Sequence, residues 1–182
     1  MKYDVVIIGS GPAGLGAAFH LTEKKSSLKI LMIEKEKICS GGLLNDCKQN
    51  YTFPIGFTEE YWDEKEADHI LGMAEHHLQP SFLEKTNLEK YQNRAEKVGA
   101  KLINIKQSHV GTDKSKFLIN SLLDTLRNRG VEIRLKTEAR SDIDHIKKKL
   151  FLSDETEVHY DKLIIAPGRK GFAYLQEAMN HL

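Results

Sequence analysis

The stretch DVVIIGSGPAGLGAAFHL, residues 4–21, runs a set of β-branched and aliphatic residues into the spacing Gly9-x-Gly11-x-x-Gly14 and then into a small-residue segment. Residues 3–8 read as a parallel strand covered on both faces, because the run lacks the apolar-polar alternation of a half-solvated strand. After Gly14, the residues Leu15, Ala18, Phe19 and Leu21 recur at helical spacing until Lys24, Lys25, Ser26 and Ser27 end the pattern. Residues 28–34 form a second apolar run that closes on Glu34. Strand, glycine turn, helix and strand in about 35 residues make one βαβ crossover.

Each part of this unit has a mechanical reason. Gly9 permits a tight turn, Gly11 lets a pyrophosphate come close to the backbone, and Gly14 lets helix and sheet approach. The helix start then offers unpaired N–H donors and a partial positive charge to phosphates. Glu34, at the next strand end, can accept hydrogen bonds from ribose hydroxyls, and its charge repels a 2′-phosphate. The expected ligand is a dinucleotide, FAD or NAD, and not NADP.

The rest of the chain reads as α/β, with no internal repeats, low-complexity tracts or linkers. Residues 36–57 are irregular. Asp63 and Glu66 resemble a capping box before Ala67, Ile70, Leu71 and Ala74. Asn87 is expected to cap a helix carrying Leu88, Tyr91, Ala95 and Val98, with Gly99 as its stop. A strand is expected over 102–105, and Thr112 or Asp113 is expected to cap a helix bearing Phe117, Leu118, Leu122 and Leu126. Beyond Gly130, residues 131–135 read as a strand, 150–152 and 158–160 as a hairpin around Asp154 and Glu155, and 163–166 as a buried strand closed by Pro167 and Gly168. The whole, residues 1–182, is expected to be one domain with 36–112 inserted as a partly helical excursion.

Composition narrows the function classes. With 27 Lys and Arg against 26 Asp and Glu, the net charge is +1, so no global field draws nucleic acid or an anionic membrane. The apolar runs are strand-sized, far short of the roughly 18 residues of a membrane helix, and two cysteines fit a reducing compartment. A cytoplasmic protein with a small-molecule or protein partner is expected.

Several segments add a resemblance. GSGPAG close to the start looks like the flavoprotein form of the glycine motif in the glutathione-reductase-like FAD superfamily. HVGTDK, GVEIR and LIIAPGR, with a Gly-Gly pair soon after the ribose acid, resemble the FAD-dependent dehydrogenases within it. The resemblance covers residues 1–45 and about 91–182. It implies a Rossmann-like FAD/NAD(P)-binding domain with a parallel sheet, a helical insertion and a hairpin or meander crossover. It also implies pyrophosphate contacts at Gly9, Ser10, Gly11, Pro12, Ala13 and Gly14, and ribose contacts at Glu34 beside Lys35. Gly41 and Gly42 would line the path to the ribityl chain, Ala139 would offer backbone groups to adenine, and Ala166, Pro167 and Gly168 would pack near the nucleotide. For Gly168 a plain turn role stays open.

The pattern is also broken in places. Members of that superfamily carry a late Gly-Asp motif and a substrate domain, and after Gly168 only RKGFAYLQEAMNHL follows, a helix with Phe172, Leu175, Ala178 and Met179 on one face. The expectation is an N-terminal part of a flavin-dependent oxidoreductase that transfers hydride through flavin N5, its substrate unknown. The alternatives are a non-catalytic nucleotide-binding module, half of a split enzyme needing a C-terminal polypeptide or a second copy, and an NAD-linked enzyme. Cys39 and Cys47 have seven residues between them in CSGGLLNDC where disulfide reductases place a pair with four residues between, so that chemistry does not transfer. His69, His76 and His77 lack metal-ligand spacing with carboxylates or cysteines, and His109 reads as part of a turn and cap.

Overall fold

The computed structural model describes residues 1–37, 49–51 and 62–180. The elements are β1 (Lys2–Ile8), α1 (Pro12–Lys24), β2 (Ile30–Glu34), β3 (Gln49–Tyr51), α2 (Glu64–Leu78), β4 (Ser81–Phe82), α3 (Leu88–Glu96), β5 (Lys106–His109), α4 (Thr112–Asn128), β6 (Glu132–Leu135), β7 (Lys149–Phe151), β8 (Glu157–Ile165) and α5 (Phe172–Met179). They divide into two compact units, one of Met1–Asn45 with Asp113–Leu182 and one of Asp46–Thr112.

The first unit is built on a five-stranded sheet in the order β6-β2-β1-β8-β7. The first four strands are mutually parallel, and β7 adds antiparallel at the edge. Alternate residues of β1 and β2 point to opposite faces, and both faces are covered, which is why these strands read as unbroken apolar runs. On one face Val6, Ile8, Leu31 and Ile33 join Ile143, Leu150, Leu152, Val158 and Ala178 in a continuous core. Facing the other way, Ile7 and Met32 are fully buried, as are Ala18 of α1 and Ile119 and Leu126 of α4. Arg129, just past α4, lies 5.2 Å over the Phe19 ring and bonds Thr22 and Glu23, which fastens the end of α4 to α1.

Here the structure refines the expectations. Residues 150–152 and 158–160 do pair as a hairpin, with Glu155 at φ 62 in its turn, but the return strand does not stop. It continues as β8 to Ile165 and lies beside β1, so the hairpin and the strand expected at 163–166 are one element, half-buried at that end. The face expected for the final helix is split: Ala178 is buried and Leu175 half-buried, with Tyr174 packed on the core beside them, while Phe172 and Met179 are exposed. Finally, Thr112 and Asp113 form the first turn of α4 and do not precede it.

The second unit holds a three-stranded antiparallel sheet in the order β3-β5-β4. Asp63 caps α2 by accepting the Glu66 N–H at 2.8 Å. Gly99 ends α3 at φ 70, with the Ala100 N–H on the Ala95 carbonyl and its own N–H on Glu96, a Schellman closure. Asn87 makes no side-chain cap; it occupies the left-handed region at φ 58. The strand expected over 102–105 lies four residues later, at the polar segment Lys106–His109.

Candidate functional site

At the C-terminal ends of the parallel strands, the chain opens into a groove of about 670 Å³. Its walls are the residues that follow β1, β2, β6 and β8, all within the first unit. β1 is flanked by β2 on one side and β8 on the other, so the crevice lies where strand order reverses, the usual ligand position of an open α/β sheet.

The glycines of the turn divide into two kinds. Gly9 has φ +99, and a Cβ there would stand 2.2 Å from the Ala166 carbonyl oxygen; at Gly14 it would stand 2.0 Å from the Gly9 carbonyl. These two are fixed by close backbone approach between β1, β8 and α1. A Cβ on Gly11, at the N-cap of α1, would meet none of the described residues within 4 Å, and Gly11 lines the groove. Pro12 at the first helical position has no N–H to satisfy, and the first intrahelical bond is Leu15 N–H to Gly11, which leaves the Ala13 and Gly14 N–H groups without a helical acceptor. A pyrophosphate fits this place: backbone donors, the positive end of a helix and no Cβ in the way.

Glu34 stands on the groove wall but is 5% exposed. Its Oε2 accepts the Ser10 N–H at 3.1 Å and the Ser10 hydroxyl at 2.6 Å, and its Oε1 accepts the Glu36 N–H at 2.9 Å. The strand ends are held together by Thr137 N–H on the Glu34 carbonyl and Lys136 N–H on that of Glu36.

Ala139 is paired with Leu152 in an isolated antiparallel bridge. The ladder bonds are carried by its neighbours, Arg140 N–H to Phe151 and Ser153 N–H to Glu138. In such a pair the N–H and C=O of the bridged residue point away from the partner strand, so the backbone edge of Ala139 takes no part in this ladder. Gly168 has φ 65 and ψ −170, a conformation nearly confined to glycine, and a Cβ there would meet none of the described residues within 4 Å. Gly168 is thus a turn residue that also lines the groove.

Of the residues singled out from the sequence, the groove brings together Gly9, Gly11, Pro12, Glu34, Lys35, Ala139, Ala166, Pro167 and Gly168. Ser10, Ala13 and Gly14 are not among the described residues that line it; Ser10 is fully buried and turned to Glu34. Gly41, Gly42, Cys39 and Cys47 lie outside the described residues. Sequence reasoning missed Lys37, Thr137, Arg169, Lys170 and Tyr174 as walls. For Arg169 and Lys170 a signal existed, since two cations directly follow the Pro-Gly turn. Tyr174 carried none: its hydroxyl lies 3.5 Å from the Arg140 carbonyl, and burial, then the charges of Glu138 and Asp142, push its pKa up to about 12. Among the described residues no cluster of three or more His, Cys, Asp or Glu could hold a metal, and no helix is long and apolar enough to cross a membrane.

Residues 3–180 match the profile of a family described as pyridine nucleotide-disulphide oxidoreductase. An uncharacterized protein of Methanosarcina barkeri is 45% identical over 65 residues, 33% of this chain and 16% of that protein. The soluble pyridine nucleotide transhydrogenase of Vibrio vulnificus is 52% identical over 40 residues, 22% of this chain and 8% of that one. The chain thus spans a small part of these curated relatives. Among solved structures, an L-amino acid deaminase of Proteus vulgaris lacking its specific insertion superposes with TM-score 0.59 at 14% identity, covering 98% of this chain and 56% of that one. Glycine oxidase of Bacillus cereus superposes with TM-score 0.53 at 21% identity, covering 96% and 58%. At such identities the likeness is one of fold, and it agrees with the sheet order and the groove. By its matched span, the chain belongs to the pyridine nucleotide-disulphide oxidoreductase family, as a Rossmann-like FAD/NAD(P)-binding domain.

Proposed function

We propose that this chain is the FAD-binding portion of a flavin-dependent oxidoreductase. The observation that carries the reading is the open space over Gly11 at the start of α1, set in a groove at the switch point of the sheet. In this reading the pyrophosphate rests on Gly11, Pro12 and the N–H groups of Ala13 and Gly14, with Gly9 shaping the turn. Glu34, with Lys35 beside it, takes the ribose, the backbone of Ala139 takes the adenine edge, and Ala166, Pro167 and Gly168 wall the nucleotide. Arg169 and Lys170 on the same wall add positive charge toward the phosphates. Gly41 and Gly42 keep their place near the ribityl chain on the resemblance alone.

When bound, the flavin supplies hydride transfer at N5, and the protein supplies binding, orientation and the local field. No acid or base for the substrate is assigned within this chain. The segment 36–112 is an insertion in the dinucleotide domain, and the substrate side is completed by a further polypeptide region or a second copy. The setting is cytoplasmic, with a small-molecule substrate and no nucleic-acid or membrane partner.

Titration with FAD, followed by quenching of flavin fluorescence, tests the reading. The wild-type chain binds FAD, and Gly11→Val, whose side chain fills the space over the helix start, weakens binding at least about a hundredfold while the thermal transition stays in place. If neither FAD, ADP nor NAD binds at millimolar concentration, the proposal is wrong. NAD displacing FAD completely would favour the NAD-linked alternative.

A further inference from the structure

The serine inside the glycine turn is fully buried, and both donors it brings, its N–H and its hydroxyl, meet the same oxygen, Oε2 of Glu34. The opposite oxygen, Oε1, accepts the Glu36 N–H. An ionised carboxylate offers about four acceptor sites, so these three bonds from described residues leave one, on Oε1. A glutamate otherwise loses rotamer freedom when it closes on a ligand; here that loss falls on folding and not on binding.

We propose that Ser10 is a positioning residue that presets Glu34 as a reader of the ribose, and is not a ligand of the phosphates. The ligand class is an adenine nucleotide whose ribose keeps a free hydroxyl, which donates to the remaining site on Oε1. This rests on the reading of the groove as a dinucleotide site. It also joins the two halves of the motif: the loop that shapes the phosphate cradle and the acid that takes the sugar share one buried contact.

The test compares ADP with 2′,3′-dideoxyadenosine 5′-diphosphate by calorimetry on the full chain. Wild type binds ADP about tenfold more tightly than the dideoxy nucleotide, the scale of one hydrogen bond to a charged acceptor. Ser10→Ala brings that ratio close to one by weakening ADP alone. Ser10→Cys fills the same space with a larger, weakly donating group, so it moves the ratio the same way without emptying the site. If either variant weakens both nucleotides by one factor, Ser10 touches phosphate or merely holds the loop, and the proposal is overturned. Equal binding of the two nucleotides by wild type overturns it as well, while leaving the dinucleotide reading intact. Failure of wild type to bind either of them, or FAD, overturns both.

Discussion

In the unit of Met1–Asn45 and Asp113–Leu182, residues such as Ile7, Leu31, Met32, Leu123 and Leu150 have almost no contact with solvent, and the polar groups among them are paired, as Ser10 is with Glu34. In the unit of Asp46–Thr112 the relation is inverted. Tyr91, Val98 and Ile103 are half exposed or more, and among its described residues Ala67 and Ser108 are the buried ones. What holds that unit is largely backbone pairing and surface polar contact. β5 lies between β3 and β4, the Leu83 N–H extends the ladder to Gln107, and Lys106 pairs with Glu75 while lying 4.3 Å over the Phe82 ring. Lys85 reaches the Asn104 side chain and the Ile105 carbonyl. Burial of apolar area is the larger stabilising effect, and exposed ion pairs contribute at most about 1 kcal/mol each. The first unit should therefore be sensitive to single atoms and the second tolerant of whole side chains.

Gly9→Ala is the substitution that should break this contrast most severely on the first side. The added methyl would sit 2.2 Å from the Ala166 oxygen, a backbone atom held in place by the Ala166 N–H on Ile8, and the residue would keep φ +99, unfavourable to any side chain. Neither β1 nor β8 can shift without disturbing the centre of the sheet. The expected loss is at least about 4 kcal/mol, a large share of a domain's stability. Chemical denaturation of Gly9→Ala beside Gly11→Val reads it directly. Two glycines two positions apart should behave oppositely, the first losing the fold and the second only the ligand. Equal loss of stability in both would show that the space over Gly11 is structural.

How legible each unit was in the sequence follows from the same contrast. The strand at residues 3–8, its glycine turn and Glu34 could all be read because burial on both faces leaves a continuous apolar run, and close backbone approach leaves glycine. The strand expected at residues 102–105 has the better strand composition, yet the ladder formed at Lys106–His109, where only Ser108 is buried. Strand preference depends on what pairs alongside, and that choice of partner is not written locally. Asn87 carried the cap signal and took a left-handed conformation without using it, whereas Asp63 carried the same signal and caps α2. The role of Ser10 was hidden for another reason. A serine in a phosphate loop reads as a phosphate contact until the burial of the acid twenty-four residues on is known.

An intermediate effect is expected from that one working cap. Asp63→Ala removes the acceptor of the Glu66 N–H and a negative charge at the positive end of α2, which together cost about 1 kcal/mol. The loss belongs to the second unit, so faster amide hydrogen exchange in the first turns of α2 should report it, while exchange in β1 and β2 stays unchanged. Parallel acceleration in β1 would mean that the two units open as one.

The smallest effect sharpens the comparison from the opposite side. Val98 is 79% exposed, although its spacing with Leu88, Tyr91 and Ala95 makes it look like part of a buried helical face. It lies just past α3, and its N–H is bonded to Ala95 in a closure that depends on backbone and on Gly99. Val98→Ser should therefore change stability by less than about 0.5 kcal/mol, the range of surface substitutions without a special contact. Gly99→Ala, one residue away, places a Cβ at φ +70 and should cost about 1 kcal/mol, near the usual penalty for a side chain in the left-handed region. A larger loss at Val98 than at Gly99 would mean that the apolar residues of this unit are covered in solution, and that its exposed surface is an interface.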